Sequence, residues 1–153
     1  MPVLAVGHGF VGQAGDVGFF DKSGRLWFCG RKAHRVETRG GTLFSVPCES
    51  IFNEHPAVSR SALVGLGPRP QQRPVIIVEL EDVATPGPSL VQIEAELLEL
   101  AAGSPLTLSV TTLLFHPSLP VDIRHNVKIN REALAEWAMQ RISDSRQSGS
   151  ADE

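Results

Sequence analysis

Two short aromatic-rich runs, 17–20 (VGFF) and 26–29 (LWFC), flank a polar insert of Asp21, Lys22, Ser23 and Gly24. Those residues supply turn chemistry, with Gly24 available for a positive φ, so the pattern predicts a β-hairpin. A charged stretch follows and carries a second, looser hairpin signal at Gly40-Gly41. Pro47 suits the first helical position, Ile51 and Phe52 give the following segment an apolar face, and His55-Pro56 ends it. Two strongly apolar runs, 61–67 and 74–81, are joined by a polar, proline-rich linker. Near-continuous runs of this kind suit strands covered on both faces. Leu90, Ile93, Leu97 and Leu100 then recur at helical spacing, with Ser89 as N-cap and Gly103 followed by Pro105 as the stop. Residues 106–115 predict a third strand and 116–129 a long loop. Asn130 caps a last helix whose stripe is Leu134, Trp137 or Ala138, and Ile142, and the polar segment 143–153 reads as a disordered tail. The expected fold is α+β: an N-terminal β-hairpin, then a small three-stranded sheet packed with helices.

Composition narrows the function classes. The 153 residues are 42% hydrophobic and 20% charged, enough for one core. The net charge of -3 leaves no basic field, which argues against an electrostatic nucleic-acid partner. Cys29 and Cys48 form no spaced ligand set and read as reduced thiols. No apolar run approaches the ~18 residues of a membrane span. The N-terminus has no Lys or Arg ahead of its apolar stretch and is interrupted by His8, so it is a poor secretory signal and the expected location is cytoplasmic.

Gly7, Gly9 and Gly12 spell G-x-G-x-x-G, which would bind a dinucleotide only if a helix followed the third glycine. Here QAGDVGFF follows, a hairpin pattern, and the motif reads as a glycine-rich N-terminal segment. His116, Ser118, Asp122 and His125 resemble a hydrolase set in composition, but no nucleophile elbow surrounds the serine. The histidines lack metal-ligand spacing.

Three pieces occur in order: GDVGFFDKSGRLWFCGRK (15–32), HPAVSRSALVG (55–65) and VKINREALAEWA (127–138). Together they resemble the C-terminal portion of the acyl-adenylate-forming superfamily, from about Gly15 to Arg141. CGRKAHRVET, FNEHPAVSRSALVG and the long string HPSLPVDIRHNVKI (116–129) are closest to its β-lactone-forming branch, which serves bacterial olefin biosynthesis. In that superfamily a large N-terminal domain holds ATP and the acid, and a small C-terminal lid closes over it. The resemblance therefore implies 15–32 as the hairpin and hinge remnant of the large domain, 33–142 as the lid, and 1–14 as an unassigned segment.

The resemblance also implies roles. Asp16 and Arg31 fall on the residues that contact the ribose of ATP, although Ala14 replaces the usual threonine. Read without it, they are a turn acid and a surface arginine. Lys128 falls on the lysine of the G-K-I-D-R element, with Val127 in place of the glycine and Asn130 in place of the aspartate. A mobile cation bridging carboxylate and α-phosphate oxygens is what an adenylation transition state lacks, and a lid loop delivers it only on closure. Ala33 occupies the hinge position, where thioester-forming relatives carry Asp or Lys. Arg124 and His125 either brace the lysine loop or contact substrate.

The implied function is the C-terminal part of an ATP-dependent, AMP-forming ligase that activates a long-chain β-hydroxy fatty acid and closes it to a β-lactone. ATP with Mg belongs to the complete enzyme, and neither is expected to bind tightly to this chain alone. The implied partners are the large adenylation domain, in cis or in trans, and the fatty acid. A CoA-ligase lid and a non-catalytic module of the same fold are the alternatives.

Overall fold

The computed structural model describes residues 9–11, 15–81, 87–121 and 128–149. Three strands come first: β1 (Gly9–Val11), β2 (Asp16–Phe20) and β3 (Leu26–Arg31) form one antiparallel sheet. The Asp21 carboxylate builds the β2–β3 turn, accepting hydrogen bonds from the backbone of Ser23 and Arg25 and from the Trp27 indole. Those donors, Trp27 foremost, hold the Asp21 carboxyl down at about 2. A 3-10 turn (Lys32–His34) leads into the ribbon β4 (Val36–Thr38) and β5 (Gly41–Leu43).

The main body is a sheet of three strands in the order β6 (Val58–Leu66), β7 (Arg73–Leu80), β8 (Thr112–Phe115). β6 and β7 are antiparallel. β7 and β8 are parallel, joined by a crossover through α2 (Leu90–Ala102). Alternate residues go to opposite faces. Leu63, Ile76, Val78 and Leu113 pack with Phe52 of α1 (Ser45–Asn53) and with Ile93 and Leu97 of α2. Ala62, Val64, Val75 and Ile77 pack with Leu134 and Ala138 of α3 (Arg131–Gly149). The sheet is covered on both sides, which is why β6 and β7 carry unbroken apolar runs. Burying each of the Val, Leu, Ile and Phe side chains contributes about 1.5–3 kcal/mol.

Several elements depart from the sequence reading. β1 falls within the glycine motif, read from sequence only as a glycine-rich segment, and pairs antiparallel with β2, while the strand expected after the third glycine is present as β2. α1 begins at Ser45 and places Pro47 inside the first turn, where its missing N–H has no intrahelical partner to lose. β8 begins at Thr112, not at residue 106. Thr107 donates its hydroxyl to Ala101 O and its N–H to Ser104 O, which folds that stretch into turns. Leu90 is exposed, so the buried stripe of α2 is Ile93, Leu97 and Ala101. Residues 143–149 are helical. The hydroxyls of Ser143 and Ser145 bond back to the carbonyls of Met139 and Ile142, so these polar residues stay satisfied within the helix.

Asn130 caps α3 as its position suggested: its Oδ1 accepts from Ala133 N at 3.1 Å. Asn130→Ala is expected to cost about 1 kcal/mol, read as a shifted urea midpoint with an unchanged slope.

Candidate functional site

Asp16 and Arg31 are directly opposite one another at the open end of the β2–β3 pair. Their nearest charged atoms, Oδ1 and Nε, are 3.8 Å apart and both side chains are about half exposed, 49% and 46%. At that distance they form a loose ion pair, and among the described residues neither side chain makes a hydrogen bond. Gly15, at φ 78°, turns the chain so that its carbonyl accepts from Lys32 N at 2.7 Å, which closes the pair from behind. Next to Arg31, Gly30 sits at φ 117°, and a Cβ there would overlap the Ser45 hydroxyl. Glycine is needed at this position for conformation and for the close approach of β3 to α1.

The turn Lys32–His34 carries Ala33, which is exposed. Its carbonyl and that of Arg35 accept from Arg69 Nη2 at 2.8 and 3.1 Å, while Arg35 donates to Lys32 O and pairs with Glu37. His34 is half-buried. Burial first, then the charges of Arg131, Arg31 and Lys128, lower its tendency to protonate, against an opposing pull from Glu132.

Lys128 is exposed and makes no ion pair or hydrogen bond among the described residues. The chain beside it is held firmly. Ile129 bridges Val121, Asn130 N donates to Pro120 O at 2.8 Å, and α3 starts at the next residue. Arg131, the first residue of that helix, reaches Glu49 of α1 with Nη2 at 2.5 and 2.9 Å from the two carboxylate oxygens. Glu49 also accepts from Leu63 N of β6 at 3.5 Å. Burial raises the Glu49 carboxyl to about 7, overriding the downward pull of Arg131. Arg131 Nε is buried without a partner among the described residues.

The fold thus sets Asp16 beside Arg31 and leaves Lys128 exposed immediately before α3. Arg124 and His125 lie outside the described residues, as do Asp122 and the first and third glycines of the N-terminal motif. His116 packs edge-on against Trp137, with ring centroids 4.6 Å apart, and accepts from Ser118 N. The Ser118 hydroxyl is no activated nucleophile by that contact. Both cysteines are buried and free, and burial pushes the Cys48 thiol up to about 12. Sequence reasoning did not single out Glu49, Arg69, Arg131 or His34. Only Arg131 had a signal, its place three residues after Lys128.

No protein-family model matches the chain. Among curated proteins it is 51% identical, over 85% of its own length, to an olefin beta-lactone synthetase of Xanthomonas campestris pv. campestris. It is 49% identical, over 84% of its length, to that of Stenotrophomonas maltophilia. In each case the match covers 23% of the relative. Among solved structures, an anthranilate CoA ligase in complex with anthranoyl-AMP superposes with a TM-score of 0.67 at 24% identity, over 81% of this chain and 23% of the ligase. The chain is a homologue of the olefin beta-lactone synthetases over a segment about a quarter of their length, and it has the α+β fold found in the adenylate-forming ligases.

Proposed function

We propose that this chain is the C-terminal lid of an ATP-dependent, AMP-forming ligase, with the hairpin and hinge (15–32) that join lid (33–142) to large domain. The observations that support the reading are the half-exposed Asp16–Arg31 pair at the end of the hairpin and a Lys128 that is exposed and unpaired among the described residues. Asp16 offers two carboxylate oxygens to a cis-diol, and Arg31 offers donors in a fixed plane beside it, a fitting pair for ribose hydroxyls. Lys128 brings a compact ammonium to the carboxylate and α-phosphate oxygens that repel one another as pyrophosphate leaves. The turn at Ala33 is the pivot on which that ammonium arrives.

The large domain supplies the ATP and acid sites. Leu26 and Phe28 each expose more than half of their surface on the hairpin, an apolar face suited to that partner. Among the described residues no group of three or more His, Cys, Asp or Glu side chains could hold a metal. The Mg that accompanies ATP would therefore be held by the phosphates and the large domain. Among the described residues no helix is long and apolar enough to cross a membrane, and we place the enzyme in the cytoplasm.

The substrate we infer is a long-chain β-hydroxy acid, from the sequence relationship to the olefin beta-lactone synthetases. Its hydroxyl attacks the carbonyl of its own acyl-adenylate. The new C–O bond closes the four-membered ring, the bond to phosphate breaks, AMP leaves, and the hydroxyl proton is lost to solvent or a base. Tethering supplies the effective molarity that a second substrate would otherwise have to provide. Ala33, with no charged side chain to exchange partners during a second swing, fits a single closure better than the two-step cycle of a thioester former.

The test is complementation. A beta-lactone synthetase deleted of its matching quarter, mixed with this chain, is expected to regain ATP–pyrophosphate exchange with a β-hydroxy acid and to release β-lactone. The chain alone is expected to show none. Failure to restore exchange, or exchange by the chain alone, would refute the lid reading. A thioester formed faster than lactone on adding CoA would refute the product.

A further inference from the structure

We propose that the ion pair Arg60–Glu79 is a backbone clamp that fixes where Lys128 is presented, making both of them positioning residues for that lysine. The inference rests on the role given to Lys128 above. Arg60 and Glu79 are opposite one another on β6 and β7, beside a register shift in β6, on the sheet face that α3 covers. Glu79 Oε2 accepts from Arg60 Nε and from the N–H of Leu119, both at 2.9 Å, and Arg60 Nη2 lies 2.9 Å away in the ion pair. Arg60 Nη2 also lies 3.4 Å from the Leu119 carbonyl. One ion pair thus holds both backbone polar groups of one residue, while the Leu119 side chain is buried with Leu134 and Ala138 of α3.

What Leu119 anchors is the base of the lysine segment. The next residue, Pro120, accepts from Asn130 N, and Val121 bridges Ile129. The departing strand of the segment is fixed to the sheet through Glu79, and the returning strand is fixed to the departing one. Lys128 stands one residue outside that bridge. Without an acceptor at position 79 the Leu119 N–H is left unsatisfied in a largely buried site, and opening the base to water becomes the cheaper state. A displacement of about 1 Å at a reacting cation costs on the order of 10²-fold in rate.

The charge of Glu79 and its role as acceptor can be separated, because Gln keeps an oxygen for Leu119 N while Met keeps only the bulk. In limited trypsinolysis of this chain read by mass spectrometry, Glu79→Met is expected to speed cleavage after Lys128 by about tenfold, equivalent to about 1.4 kcal/mol of lost protection. Glu79→Gln is expected to stay within about twofold of the parent. Unchanged cleavage in Glu79→Met, equal acceleration in Glu79→Gln, or a uniform rise at every Lys and Arg would each overturn the clamp. In the complemented enzyme, Glu79→Met should lower kcat for adenylation with little change in KM for ATP, and Glu79→Gln should restore it. Parent chain that fails to complement while the cleavage pattern holds would refute the lid reading and leave the clamp standing.

Discussion

If the chain acts as the proposed lid, Lys128→Ala is expected to reduce the adenylation it would restore to a lid-deleted large domain by about 10²–10³-fold, with no change in the chain's own thermal midpoint. The two halves of that expectation have one cause. Lys128 is exposed and makes no ion pair or hydrogen bond among the described residues, so the described part of the fold loses neither when its ammonium is removed. Adenylation, in contrast, drives a carboxylate oxygen onto a phosphorus already surrounded by negative oxygens, and a cation that meets both exists only in the closed state. The loss should appear in kcat. Lys128→Arg keeps the charge but replaces a point cation by a broad planar fork, and should recover only part of the rate. Pyrophosphate exchange within about fivefold of the parent for Lys128→Ala would show that the lysine is not the transition-state cation, whatever else the lid does.

The parts legible in the sequence were those decided locally. The β2–β3 hairpin was readable because one aspartate, one glycine and flanking aromatics specify the turn within a few residues. β6 and β7 were readable from their central runs, 62–64 and 75–78, where cover on both faces leaves no polar position. The missed boundaries share a different origin. Residues 106–111 are rich in β-formers, and what keeps them from joining β8 is the Thr107 hydroxyl reaching the carbonyl of Ala101 at the end of α2. The helix continues through 143–149 with the hydroxyls of Ser143 and Ser145 satisfied by carbonyls one turn back, which composition does not reveal. In the proposed site, motif resemblance picked out Asp16, Arg31 and Lys128, but that the first two are cross-strand partners depends on strand register. Glu49 and Arg131 are separated by 82 positions, and neither residue type announces such a partner.

That long-range pair should give the largest change in stability. Glu49→Leu leaves the Arg131 guanidinium partly buried with its Nε already unpartnered, and is expected to destabilise the chain by about 3–5 kcal/mol. Arg131→Met should cost less at low pH than at high pH, because a stranded carboxyl can escape its penalty by taking up a proton and a guanidinium cannot. The parent has a weaker version of the same dependence. Glu49 titrates near 7 in the folded chain and near 4.5 when unfolded, so the folded state binds the extra proton between those values. Its contribution is therefore complete below about pH 4.5, declines as pH rises through about 7 with a slope of at most about 1.4 kcal/mol per unit, and is flat above. Glu49→Gln removes that titration. The difference in unfolding free energy between parent and Glu49→Gln should shift against the parent from pH 5 to pH 8. In the double variant Glu49→Leu/Arg131→Met the loss should fall well short of the summed single losses, since two apolar side chains leave no charge behind. A pH-independent difference would place the Glu49 carboxylate fully ionised throughout, with Arg131 outweighing burial. Additive losses would mean that the two residues stabilise α1 and α3 separately and do not tie the start of α3, and Lys128 with it, to the rest of the fold.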